Sequence, residues 1–172
     1  MRKVLIFFFI NFFQFNFAIA NTNIVFIDIN KIISTSKPGL SINDQLKDIS
    51  SKNSKIFKED AQILKEKENK LISQKNILSE SEFQLMVNEL KLGINEYKEN
   101  RDKINNNFNK LRADSTNKLL KQINPILMSY SNDNNISLIL KKSDIVLGQT
   151  ELDITSEIIQ IINKEIKQFK IK

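Results

Sequence analysis

The sequence predicts an α+β protein in which a small β-rich oligomerisation body carries a long antiparallel helical hairpin, a coiled-coil arm that projects from it. Three observations predict this fold. Residues 41–130 contain one glycine, Gly93, and one proline, Pro125. Apolar residues in that stretch recur every three to four positions, which is typical of helices with one apolar stripe. Both ends of the chain instead contain short β-branched runs that are typical of strands.

Residues 1–20 have the three-part pattern of a secretory signal peptide. Arg2 and Lys3 precede an apolar run, and Ala18-Ile19-Ala20 closes it as a cleavage site. The alternative is an uncleaved membrane anchor, but polar residues interrupt the run and it is short for a bilayer span. We expect cleavage after Ala20. The mature chain then has a net charge of +4, because the segment holds two of the basic residues behind the total of +6.

Residues 21–40 are predicted to form the first part of the body. Ile24 to Asp28 reads as a strand because it is rich in β-branched residues. Asn30 to Thr35 can form one or two helical turns. Ser36-Lys37-Pro38-Gly39 then reads as a linker that leads into the arm.

Residues 41–118 are predicted to form the arm, with its tip near Ser79. Two apolar series of helical spacing are separated there, and Ser79 with Glu82 matches a capping box that starts a new helix. Several seam positions of the first helix are polar, which favours a weak seam over a thick core. These polar positions are Asn53, Asp60, Lys67 and Lys75.

Residues 119–172 are predicted to complete the body. The apolar residues at the end of the second long helix cover more than one stripe, so this part should be buried. Ser131 to Asn135 reads as a turn, followed by a hairpin of strands Ile136 to Leu140 and Asp144 to Gly148. Asp153 or Thr155 then caps a final amphipathic helix.

A body of this size predicts self-association. It has about 60–70 residues, which is marginal for an independent core, and its three short strands leave sheet edges unpaired. Oligomerisation through the strands solves both problems, although this argument does not give the number of subunits. The residues expected at the interface are Ile24, Phe26, Ile136, Leu138, Leu140, Ile145 and Leu147.

The composition argues against an enzyme. The chain has no His and no Cys, so the usual general bases, thiolate nucleophiles and structural zinc ligands are missing. Three glycines allow no glycine-rich phosphate loop. We therefore expect no cofactor and no metal. The basic residues alternate with acidic ones, which argues against nucleic acid, and the mild positive charge fits weak contact with an anionic membrane surface.

In the order of its parts, the chain resembles the Skp/OmpH family of periplasmic outer-membrane-protein chaperones. The matching parts are the signal peptide, the strand Ile24 to Asp28, the hairpin with its Leu-Ser-Glu tip, the strands of Ile136 to Gly148, and Leu152 to Thr155. The resemblance implies a homotrimer whose arms enclose a cavity for unfolded outer-membrane proteins, and an ATP-independent holdase in the periplasm. One departure is the arm's charge. Residues 41–130 hold 16 basic and 13 acidic residues, a net charge of only +3, whereas better-known members have strongly basic arms.

Two functional classes follow: a holdase for unfolded envelope proteins, and a periplasmic coiled-coil spacer or adaptor between fixed partners. A spacer needs a continuous apolar seam, so the polar seam positions favour the holdase. Leu85 and Leu92 lie seven residues apart, opposite the predicted seam, and form a two-residue apolar strip. Together with residues that flank the seams near the tip, they are the candidate client-binding residues: Ile72, Ile77, Leu85, Met86 and Leu92. The alternative is that scattered surface leucines are ordinary.

Overall fold

The computed structural model describes residues 22–167 and 169–171. The predicted signal peptide therefore lies outside the described residues. The described chain forms two strands, four α-helices and two 3-10 turns. In order these are β1 (Ile24–Ile27), α1 (Ile29–Thr35), α2 (Lys37–Gln74), α3 (Glu80–Asp133), β2 (Leu138–Lys141), the 3-10 turns Lys142–Asp144 and Thr150–Leu152, and α4 (Thr155–Glu165).

The two long helices α2 and α3 run antiparallel and pack against each other. They contain 38 and 54 residues, which corresponds to about 57 and 81 Å of helix. A cation–π contact crosses the seam, with the Arg101 guanidinium 5.8 Å from the centre of the Phe57 ring. The predicted mixture of long helices and a small sheet, an α+β fold with a helical arm, is confirmed. Helix α2 runs through residue 40 and helix α3 runs through residue 118, both without a break. The predicted boundaries between body and arm therefore stay predictions.

The capping box predicted at the start of the second helix is present. The backbone N–H of Glu82 donates to Ser79 Oγ at 3.4 Å, and the backbone N–H of Ser79 donates to the Glu82 carboxylate at 3.0 Å. Hydrogen bonds from the Ser79 side chain and backbone lower the pKa of the Glu82 carboxyl. This reciprocal pair satisfies two backbone donors that the start of a helix leaves without partners.

The predicted linker Ser36 to Gly39 is wrong, because it forms the first turn of α2. Ser36 caps the helix, with its side chain accepting from the Gly39 N–H at 3.3 Å, and Pro38 occupies the first turn, where a missing N–H costs nothing. A Cβ atom at Gly39 would lie 1.9 Å from the carbonyl oxygen of Ile33. Only glycine permits this close approach of α1 and α2.

The sheet consists of two parallel strands, with Ile24 opposite Leu138 and Ile27 opposite Lys141. The predicted second hairpin strand, Asp144 to Gly148, is wrong. Lys142–Asp144 forms a 3-10 turn, and the other edge of β1 pairs with a different segment, through the N–H of Ile154 donating to the carbonyl of Phe26 at 3.1 Å. Residues 145–148 form no strand beside β2, because the 3-10 turn that directly follows β2 leads them across the Phe26 ring, against which Gly148 packs.

The core lies where the roots of α2 and α3 meet α1, α4 and the sheet. Its fully buried apolar side chains come from all four helices: Ile32, Ile42, Leu119, Ile123, Ile158 and Ile162. Helix α3 continues through Pro125 to Asp133, so the predicted turn starts later than expected, and Asn135 takes a positive φ of 51° at its end. Within the described residues, no helix is both long enough and apolar enough to cross a membrane.

Candidate functional site

The described residues contain no cluster of acidic side chains that could hold a metal ion. The candidate functional features are therefore surfaces. Two kinds of exposed apolar surface are present, one along the arm and one at the sheet.

The arm presents apolar side chains to solvent around its tip. Leu85 and Leu92 are 64% and 62% exposed, and Ile72 and Ile77 are also exposed. Met86 is half-buried. The seam residues of α3 between Phe83 and Ile94 are half-buried or pack toward α2, which leaves Leu85 and Leu92 on the outer side of the helix as the spacing indicates. Their role in binding a client stays a prediction.

Two further exposed residues on α2, Ile56 and Ile63, were not among the predicted site residues. They lie seven residues apart and line one side of the hairpin. Beside Ile63 the two helices leave a cleft of about 390 Å³, lined by Asp60, Ile63, Leu64, Lys67, Gly93, Glu96, Tyr97 and Asn100. The sequence signal that could have found them is their seven-residue spacing after Ile49.

We expect Gly93→Ala to stabilise the arm by about 0.5–1 kcal/mol, because alanine loses less conformational entropy than glycine in a helix interior. The added Cβ would lie 3.2 Å from Leu64 Cδ2. Leu64 is half-buried and borders the open cleft, so its side chain can give way by the few tenths of an ångström required. Denaturant unfolding followed by circular dichroism measures the change. A loss of stability would mean that Leu64 is held rigidly.

The second surface lies at the sheet. It includes Ile24 and Leu138, which lie opposite each other in the strand register, and Leu140. All three side chains are exposed, Leu138 to 47%. Ile145 is half-buried, whereas Leu147 is 93% exposed. Phe26 and Ile136 are instead buried within their own chain.

Two exposed residues near the sheet were missed by the sequence analysis. Val146 is fully exposed beside Leu147, and Met128 is exposed on α3. Met128 borders an apolar cleft of about 400 Å³ whose other apolar lining residues are Ile27, Ile29, Leu127, Ile139 and Leu140. The sequence does not distinguish Met128 from its neighbours Ile126 and Leu127, which are covered by the body. Only the tertiary structure shows that the Met128 side chain is exposed to solvent.

A polar network fixes the loop that carries these apolar residues. Lys142 Nζ donates to Asp153 Oδ2 at 2.9 Å and lies 5.8 Å above the centre of the Phe26 ring. Asp153 Oδ1 accepts from the Thr155 N–H at 3.1 Å and from the Thr155 hydroxyl. The Thr155 hydroxyl oxygen in turn accepts from the Asp28 N–H at 2.9 Å. The network joins the end of β1, the loop and the start of α4.

Burial raises the pKa of the Asp153 carboxyl, but the hydrogen bonds from Thr155 and Lys142 outweigh burial and leave this pKa below its ordinary value of 3.8. The hydrogen bond to Asp153, with its charge, raises the pKa of Lys142 above 10.5. Asp153 therefore contributes stability above pH 3.8 that is lost as the pH falls through its folded-state pKa. Lys142 contributes stability that is complete below pH 10.5 and lost as the pH rises through its folded-state pKa.

We expect Asp153→Asn to destabilise the fold by about 1–3 kcal/mol at neutral pH, since it removes a charged acceptor from a half-buried network. Thermal unfolding from pH 2 to pH 7 checks this result. The wild-type advantage should shrink as the pH falls below 3.8, where the unfolded chain takes up a proton at Asp153 while the native carboxylate is still ionised. An equal difference at all pH values would show that the charge of Asp153 contributes nothing.

Comparisons with known proteins agree with this architecture. The family model described as outer membrane protein (OmpH-like) matches residues 23–162. No curated protein matches the sequence. Among solved structures, the chain is similar to an OmpH-like protein from Caulobacter crescentus CB15, provisionally described as an outer membrane chaperone. The TM-score is 0.79 at 14% identity, and the match covers 92% of this chain and 94% of that chain.

The structural similarity supports the fold. The family match shows membership of a family, since it spans both strands, both long helices and most of α4. The resemblance noted from the order of the sequence motifs is thereby confirmed. This chain belongs to the OmpH-like outer membrane protein family.

Proposed function

We propose that the protein is an ATP-independent periplasmic holdase that binds unfolded outer-membrane proteins between helical arms and prevents their aggregation. The observation that carries this proposal is the arm itself, a hairpin of two long helices with large apolar side chains left exposed around its tip, such as Leu85 and Ile77. Exposed apolar groups on a projecting element are suited to bind unfolded chains. Family membership and the chaperone description of the similar Caulobacter protein support the same role.

The proposed working unit is a homotrimer. The body carries a set of apolar side chains that a single chain leaves exposed to solvent. They are Ile24, Leu138, Leu140 and the loop residues Val146 and Leu147. The backbone of residues 146–148 can add to the sheet of a neighbouring subunit, which would remove an unpaired edge. The number three comes from the family resemblance.

A structural spacer or adaptor is the second candidate. The seam of α2 favours the holdase, because Asn53 and Asp60 occupy half-buried seam positions and Lys67 borders the cleft beside Gly93. A hairpin with polar seam positions and a cleft between its helices lacks the continuous apolar packing that a rigid spacer needs. It can change shape around different clients.

In this proposal the chain is exported with cleavage after Ala20 and acts without a cofactor. The net charge of +3 for residues 41–130 is small, so apolar contact is the main source of client affinity. Electrostatic attraction adds weak contact with an anionic membrane surface.

The test uses the purified chain that starts at Asn21. A urea-denatured outer-membrane β-barrel protein is diluted into buffer with and without this chain, and light scattering follows aggregation. Suppression without nucleotide at about one trimer per client is expected. Unchanged aggregation at a tenfold excess would reject the holdase and leave the spacer.

A further inference from the structure

The last described residues, 169–171, lie across the base of the arm. Helix α4 ends at Glu165, and the described residues beyond it, 166–167 and 169–171, have no regular secondary structure. Phe169 is nevertheless 3% exposed, as buried as the core. We call residues 169–171 the C-terminal strap and the surface beneath it the strap groove.

The strap is held by its backbone, and one side chain makes most of the contacts. Gln45 Nε2 donates to the carbonyl oxygen of Phe169 at 2.8 Å, and Gln45 Oε1 accepts from the N–H of Ile171 at 3.3 Å. Ser41 Oγ donates to the same Phe169 carbonyl at 3.1 Å. The carbonyl of one residue and the N–H two residues later lie on the same edge of an extended chain, so the amide of Gln45 acts as a neighbouring strand would.

The amide of Gln45 is held in place by its own helix. Its Nε2 also donates to the backbone carbonyl of Ser41 at 3.0 Å. The amide also donates to Ser41 Oγ at 3.2 Å, but its bonds to the strap are to backbone atoms only. Such a clamp does not depend on the side chains of the bound segment. The groove can therefore accept other extended sequences in the same register.

One side chain of the strap adds selectivity. The Phe169 ring is buried where α2 and α3 meet, and Lys118 Nζ of α3 lies 5.5 Å from the ring centre. A cation over a ring face favours an aromatic occupant. The groove thus combines a backbone clamp from α2 with an aromatic site completed by α3.

We propose that the strap groove is a peptide-binding site for an extended segment with an aromatic residue, and that the chain's own C-terminus occupies it as a displaceable mimic of a client. This inference rests on the proposed function in one respect, namely that the client is an unfolded polypeptide. The strap is suited to exchange because only three hydrogen bonds and one buried ring hold its described residues. Its attachment to α4 gives it a high effective concentration, so a free peptide must compete with it.

The test weakens the strap and supplies a peptide in trans. The full chain with Phe169→Ala is titrated with a fluorescein-labelled peptide of residues 163–172, and binding is followed by fluorescence anisotropy. The variant should bind the peptide at least about tenfold more tightly than the wild type, whose own strap fills the groove. The same peptide with Phe169→Ala should bind at least about tenfold more weakly, because it lacks the ring.

Two further variants make the test specific. Adding Gln45→Ala to the Phe169→Ala chain should weaken peptide binding about tenfold, since two backbone hydrogen bonds are lost. Lys170→Ala, at an exposed strap position, should behave as the wild type does. Circular dichroism establishes that each variant is folded. If Phe169→Ala unfolds the chain, Phe169→Leu keeps most of the volume and weakens the strap through loss of the aromatic ring.

The results separate this inference from the proposed function. A folded strap variant that does not bind the peptide, or that binds both peptides equally, overturns the inference even if the wild type suppresses client aggregation. Peptide binding that depends on Gln45 supports the site even if the wild type fails to suppress aggregation. In that case the holdase proposal fails, and the groove stands as a peptide site of another kind.

Discussion

Leu138→Asp is expected to split the proposed homotrimer into single folded chains. Leu138 is 47% exposed within one chain and lies opposite Ile24 at the apolar face of the sheet. A carboxylate there is tolerated in a monomer because water reaches it. In an assembly through this face the carboxylate would be buried without a partner, at a cost of several kcal/mol in each subunit. Light scattering should fall from about three protomer masses to one.

The matched control is Ser137→Asp, which adds the same charge one residue earlier on an exposed position. Because Ser137 lies in the exposed bend before β2 and not in the strand itself, its carboxylate stays in water, and the mass should stay that of the wild type. If Leu138→Asp keeps the wild-type mass, the interface lies elsewhere. If both variants dissociate, the assembly responds to an added negative charge at either position and not to the loss of the Leu138 side chain.

Changing Leu85 and Leu92 together to Lys is expected to reduce suppression of client aggregation roughly tenfold or more, because two exposed apolar contacts are each replaced by a charge. The oligomeric mass and the unfolding temperature should stay those of the wild type. Both side chains are more than three-fifths exposed and contribute little to the packing of α3 on α2. Aggregation of a denatured β-barrel protein at several chaperone concentrations measures the effect.

The control places the same two charges at the same spacing on α3, with Asn88→Lys and Asn95→Lys at exposed polar positions. This variant should keep its holdase activity. Equal loss in both variants would attribute the effect to charge and not to the apolar strip. Full activity of the leucine variant would make the strip incidental and direct attention to Ile56 and Ile63 beside the cleft.

The helical hairpin could be predicted from the sequence because its determinants are local. Apolar spacing, the absence of helix breakers between Ser41 and Gly93, and the reciprocal bonds of Ser79 and Glu82 all operate within a few residues. For the same reason the spacing placed Leu85 and Leu92 outside the seam. The family resemblance also depended on the order of such local patterns.

The body was predicted less well because its determinants are contacts between residues far apart in the sequence. Residues 144–148 have strand-forming composition, yet the 3-10 turn after β2 leads the chain across the Phe26 ring, and residues 145–148 form no strand beside β2. Composition could not reveal that Phe26 and Ile136 face the chain's own core, or that Met128 does not.

By itself, the sequence determined the two long helices and the place where they fold back, since both follow from residue type and short-range spacing. Tertiary structure alone decided the parallel pairing of β1 with β2, the exposed Val146 and Leu147, and the clamp of Gln45 on the strap. Gln45 and Phe169 are 124 residues apart. No local pattern encodes such a contact, because it exists only after both ends of the chain have packed against the same helices.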